Sequence, residues 1–211
     1  KNVLAWPIVE IIGNSKLIDA KTKEKLIEET LDSIIPQLSS QAVSIPIEES
    51  TILALDWMNG RRTPDASQEV KGAITGLTLG STAPRIFRAL VEATAFGSKA
   101  IVDRFKREGV EIKEIIGLGG VAKKSPFVMQ TLADVLNMPI KIATTEQTCA
   151  FGAAMFAAVV GNVYSNVEDA QKAMGKGFEK VYTPNAQNHK KYEALYQQYN
   201  KLGKFINDST K

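Results

Sequence analysis

The 211-residue sequence predicts an α/β layered domain whose sheet is at least partly parallel. From residue 73 onward, strand-like and helix-like segments alternate β-α-β-α-β-α. At Gly117, Gly119 and Gly120 three side chains disappear just where an apolar strand (Ile112, Ile115, Ile116) should end and a helix begin. The composition, 44% hydrophobic and 23% charged, is that of a globular chain long enough to bury a core.

Residues 3–12 and 24–38 read as two helices. Asp19 or Thr22 is available to cap the second, Leu26, Ile27, Leu31, Ile34 and Ile35 form its apolar stripe, and Pro36 should end it. After a polar connection, residues 51–57 and 73–79 read as strands, separated by a turn-rich MNGRRTPDAS. A long helix follows from Thr82 and Pro84 to Glu108, with Ile86, Phe87, Leu90, Val91, Ala95, Ile101, Val102 and Phe105 on one face and Gly109 as its stop. Glu92 reads as a residue of that helix face, and Lys71 as solvated.

Ser125 and Pro126 look like an N-cap and first helical position, opening a helix with Phe127, Val128, Leu132, Val135 and Leu136 at helical spacing up to Asn137. Residues 139–144 form another strand, and Thr148 caps a helix CAFGAAMFAAVVG. That helix is apolar all round, which predicts burial and close packing, with Cys149 a small core residue. A short helix from Asn166 to Gly175 precedes a closing helix, His189 to Ile206, whose stripe of Tyr192, Leu195, Tyr196, Tyr199 and Leu202 docks on the domain.

A glycine turn of this kind either permits a tight connection or admits a phosphate or nucleotide edge to bare backbone. Gly117-Leu-Gly119-Gly120-Val-Ala122 fits a dinucleotide G-x-G-x-x-A, and Glu146 lies after the next strand. However, Ala122-Lys123-Lys124 separates the motif from a helix starting at Ser125, which argues against that variant. In the Asp56–Arg62 loop, Arg61 and Arg62 beside Asn59 either face oxyanions or pair with Asp56 or Asp65.

The net charge of +3 gives no case for nucleic acid or an anionic membrane surface. One Cys and one His exclude an intramolecular disulfide and leave no zinc set. No apolar run spans a bilayer, so the expectation is a soluble, cytoplasmic protein. An opening Lys1-Asn2 without Met suggests a processed chain or part of a longer one.

Three blocks in order then become informative: LDWMNGRRTPDASQEVKGAITGLTLGSTAPRIFRALVEATAFGSKAIVDRF, IIGLGGVAKKSPFVMQTLADVLNMPIKIA and EQTCAFGAAMFAAVVG. They resemble the C-terminal part of the FGGY family of carbohydrate kinases, most closely its bacterial L-ribulokinase branch. The resemblance implies a ribonuclease H-like fold of the actin and hexokinase type, lacking its first strands. It divides residues 1–211 into a helical lead-in (1–50), a nucleotide-binding core (51–161) and C-terminal helices (162–211).

It implies ATP with Mg²⁺, and adenosine held by Gly119, Gly120, Val121 and Lys124. Asn59, Arg61 and Arg62 become candidate cleft residues, while the catalytic Asp and the sugar contacts lie upstream. A ketopentose and an N-terminal kinase domain are the implied partners, with a free sheet edge or apolar face that could support a homodimer. L-ribulose is the implied substrate. Xylulose or another ketose, and a non-catalytic nucleotide-binding or oligomerising module, are the alternatives.

Overall fold

The computed structural model describes residues 2–210. Two helices open the chain, α1 (Asn2–Asn14) and α2 (Ala20–Val43), packed on one another. Asp19 caps α2, accepting from the N–H groups of Lys21 and Thr22 and from the Thr22 hydroxyl at 2.6 Å. Contrary to expectation, α2 does not stop at Pro36 but continues to Val43. Proline removes only one N–H from the ladder, and burial of Leu38 and Ala42 in the next turns offsets that loss.

Strands β1 (Leu53–Leu55) and β2 (Ala73–Thr75) form an antiparallel pair, shorter than read because Leu77 and Leu79 lie exposed beyond β2. Helix α3 (Ala83–Arg107) ends as foreseen. Gly109 adopts φ +80°, and the Val110 and Gly109 N–H groups return to the carbonyls of Phe105 and Lys106, a Schellman closure. Glu92, read as a helix-face residue, is 3% exposed; it accepts from Arg88 Nε at 2.8 Å and from the Ser50 hydroxyl, and Arg88 also donates to the Ala42 carbonyl. Phe105, assigned to the buried face, is half-exposed.

Next come β3 (Ile115–Gly117), α4 (Gly119–Lys124), α5 (Pro126–Leu136), β4 (Ile140–Ala143), α6 (Thr148–Val160), α7 (Val167–Met174), β5 (Phe178–Tyr182) and α8 (Ala186–Ser209). β3 and β4 are parallel, whereas β5 lies antiparallel on the other side of β4. Residues 162–211, read as helices throughout, therefore contain a strand. FEKVY gives no apolar alternation, and its pairing with β4 makes it a strand despite a mostly exposed surface.

By chain packing the molecule divides into two compact units. One holds the residues up to Arg61, Ser67–Thr94 and those from Gln198 on; the other holds Arg62–Ala66 and Ala95–Gln197. In the second unit, Ile140, Ile142 and Tyr182 from the sheet meet Ala122, Met129 and Ala133, with Ile115 and Leu132 packed alongside. Phe96 stacks edge-on against Tyr192 in the same unit. In the first, Tyr199 meets Trp57 edge-on and Gly203 leaves room for that indole, bearing out the docking role of the α8 stripe.

Helix α6 is the main departure. Among its residues only Met155 is fully buried, while Phe156 and Val160 are exposed, and Cys149 faces solvent instead of the core. Apolar composition all round requires burial only where a neighbour exists on every side. Among the described strands β3 likewise pairs on one edge alone.

Candidate functional site

The glycine turn connects β3 to α4, and its three glycines have three different causes. A Cβ on Gly117 would lie 2.8 Å from Ile142 Cδ1 and 3.3 Å from Ala122 Cβ, so close packing between strand and helix demands glycine there. Gly119 has φ +80°, a backbone region that L side chains avoid. Gly120 has neither constraint: its φ is ordinary, and a Cβ would meet nothing within 4 Å. The fold itself does not require glycine at 120, which leaves the bare backbone available to something from outside.

Helix α4 begins at Gly119, so Ala122-Lys123-Lys124 is itself helical and does not separate the motif from a helix. The break falls at Ser125, because Pro126 disfavours helical geometry in the residue before it; Ser125 sits at φ −125°, ψ 79° and its side chain makes no cap hydrogen bond to α5. Around α4, Ala122 points into the core, whereas Val121 is 63% exposed and Lys124 is exposed. Gly119, Gly120, Val121 and Lys124 thus belong to one six-residue helical turn, offering open backbone, one apolar side chain and one cation. Such a surface suits the planar, polar edge of a nucleotide.

Lys123 differs from its neighbour. Its ammonium donates to the Thr144 carbonyl at 2.6 Å, lies 3.2 Å from a Glu179 carboxylate oxygen, and is mostly buried. Beyond β4, a cavity of about 580 Å³ is lined by Thr144, Glu146, Gln147, Phe151 and Lys176, among others. A second, of about 530 Å³, reaches Leu118 just before the glycines. The sequence reading ended a strand at Thr144 and gave Thr145 and Gln147 no role. Their position after a strand parallel to β3 was the available signal, since ligands of α/β sheets gather at the carboxyl ends of parallel strands.

In the Asp56–Arg62 loop the Arg61 guanidinium lies 4.9 Å from the centre of the Trp57 ring and donates to Asn207 at 3.4 Å. Asp56 accepts from the Tyr199 hydroxyl, and burial raises its carboxyl above the ordinary value, partly opposed by hydrogen bonds from its own backbone N–H and from Tyr199. Asp65 pairs with Arg104 at 3.0 Å. Asn59 and Arg62 are exposed. Among the described residues no group of three or more His, Cys, Asp or Glu is placed to hold a metal ion.

The profile of the FGGY family of carbohydrate kinases, C-terminal domain, matches residues 1–160. The chain belongs to the FGGY family. Across 206 residues, 98% of the chain, it is 43% identical to a ribulokinase of Vibrio parahaemolyticus, of which it covers 35%. It is 42% identical over 174 residues to a ribulokinase of Bacillus licheniformis, covering 32% of that protein. This FGGY chain therefore spans about a third of the length of the curated relatives it matches.

Among solved structures, a ligand-bound xylulose kinase from Lactobacillus acidophilus superposes with TM-score 0.75 at 21% identity, over 97% of the chain and 39% of that protein. A Plasmodium falciparum glycerol kinase with ADP gives 0.65 at 22%, over 83% and 35%. At such identities the likeness is one of fold, that of the C-terminal domain of actin- and hexokinase-type sugar kinases.

Proposed function

We propose that this chain is the nucleotide-binding part of an ATP-dependent kinase that phosphorylates L-ribulose to L-ribulose 5-phosphate. The observation that carries this reading is the 43% identity to a ribulokinase over nearly the whole chain, joined to a glycine turn whose Gly120 the fold does not itself require. Gly119 and Gly120 bring bare backbone against the adenosine, Val121 packs on it, and Lys124 meets the polar edge of the base. Asn59 and Arg62, both exposed, face the rest of the kinase. Arg61 serves that loop indirectly, through its stacking on Trp57.

Mg²⁺ bound with the nucleotide would supply neutralisation of phosphate charge; no residue of this chain is assigned to it. The catalytic base, the sugar contacts and closure of the cleft belong to the remainder of the kinase, and the whole protein works in the cytoplasm. Among the described residues no helix is long and apolar enough to cross a membrane. A homodimer is one way to cover the open face of α6.

Calorimetric titration of the chain with ATP tests the site, with Gly120→Asp as the blocking variant. Binding that vanishes in the variant supports it, and equal affinity in both removes Gly120 from it. A coupled ADP-release assay of the whole kinase with L-ribulose and with D-xylulose tests the substrate. Higher kcat/KM for D-xylulose would overturn the ribulose assignment.

A further inference from the structure

We infer that Lys123 is a positioning residue for the nucleotide turn, holding α4 in its binding shape without touching the ligand; this rests on the nucleotide reading above. Little else in side-chain bonding holds α4. A six-residue helix that opens on two glycines is not stable alone, since helix nucleation is costly and glycine adds backbone entropy to the loss. Its N-cap, Leu118, supplies no side-chain hydrogen bond, and its exposed members Gly120, Val121 and Lys124 have no described packing beneath them. Two anchors remain. Ala122 packs in the core, and Lys123 reaches across to the ends of two strands.

The Lys123 anchor is specific in its partners. Its ammonium donates to the Thr144 carbonyl, the first residue past β4, and pairs with Glu179 in β5. Thr144 is itself fixed, because its N–H and its hydroxyl both donate to the Gly177 carbonyl at 3.2 Å. One partly buried cation therefore ties the turn after β3 to the carboxyl end of β4 and the start of β5. Charge-assisted hydrogen bonds of low exposure are the strong kind, and a ligand-bearing backbone needs such support to keep its geometry. Adjacent lysines thus divide the work: Lys124 is outward and available to ligand, Lys123 inward and structural to the turn.

The test uses Lys123→Met, which keeps the aliphatic stem and removes the charge, with Lys123→Arg as the rescue and Glu179→Gln as the weaker perturbation. Amide hydrogen exchange and ATP affinity are measured on each. In Lys123→Met, exchange at residues 121–125 is expected to quicken roughly tenfold while β3 and α5 are unchanged, and the ATP Kd to rise roughly threefold to tenfold. Lys123→Arg should restore both, and Glu179→Gln should move both in the same direction by less.

Unchanged exchange and affinity in Lys123→Met would overturn the inference. So would faster exchange spread evenly over β3, β4 and α5, which marks general destabilisation. If the unmodified chain binds no ATP, the nucleotide reading fails, while local exchange still decides whether Lys123 holds the turn.

Discussion

Gly120 separates what the fold needs from what a ligand needs. Since no atom lies within 4 Å of its would-be Cβ and it sits inside α4, Gly120→Ala should leave stability unchanged or raise it by up to about 1 kcal/mol in urea unfolding. The same variant should weaken ATP binding, so stability and affinity move in opposite directions. Gly119→Ala should instead cost about 1 kcal/mol, because its φ is positive. Asp56 gives a pH signature. Its folded carboxyl titrates above the ordinary 3.8, so the native state binds more protons than the unfolded one, and stability falls as pH rises from about that value through the raised pKa. Asp56→Asn keeps an acceptor for Tyr199 and removes the penalty. Its stability relative to the parent should improve between pH 4 and pH 7 in parallel urea titrations, and a gap independent of pH would refute the assignment.

At the level of elements, the buried Arg88–Glu92 pair joins α3 to the end of α2 through the Ala42 carbonyl. Removing one partner strands the other charge in the interior, so Glu92→Ala should cost about 3–5 kcal/mol in chemical unfolding. The sequence placed Glu92 on a face of this helix, but its burial against Arg88 was not legible, because an i,i+4 ion pair is equally at home on a solvated face. Helix α6 makes the opposite case. Its residues suggest burial on all sides, yet Val160 is 83% exposed, so Phe156→Lys with Val160→Glu should change the stability of this chain by less than about 0.5 kcal/mol. Light scattering should at the same time show less self-association, as expected when an exposed apolar patch is broken.

Across the whole molecule, the FGGY assignment and the share of relatives covered bear on what the chain can do alone. In-line phosphoryl transfer requires nucleotide, metal and acceptor to be held together, and this chain spans only about a third of the length of the curated relatives it matches. Incubation with ATP, Mg²⁺ and L-ribulose should therefore release no ADP above the uncatalysed rate, even where calorimetry detects ATP binding. Turnover by the isolated chain would contradict the division of labour proposed for it.

The sequence by itself determined the helices with strong periodicity and clear stops: the cap of α2 at Asp19 or Thr22, the Gly109 stop of α3, the tyrosine stripe of α8 and the glycine turn all follow from local stereochemistry. The three ordered blocks likewise located the family. Tertiary structure alone decided which of two adjacent lysines turns inward, that Glu92 is buried, that FEKVY joins a sheet and that α6 lies open. Each of these depends on which distant segment lies alongside. Side-chain pattern records what a segment can bury, whereas burial itself is set by neighbours that local periodicity does not specify.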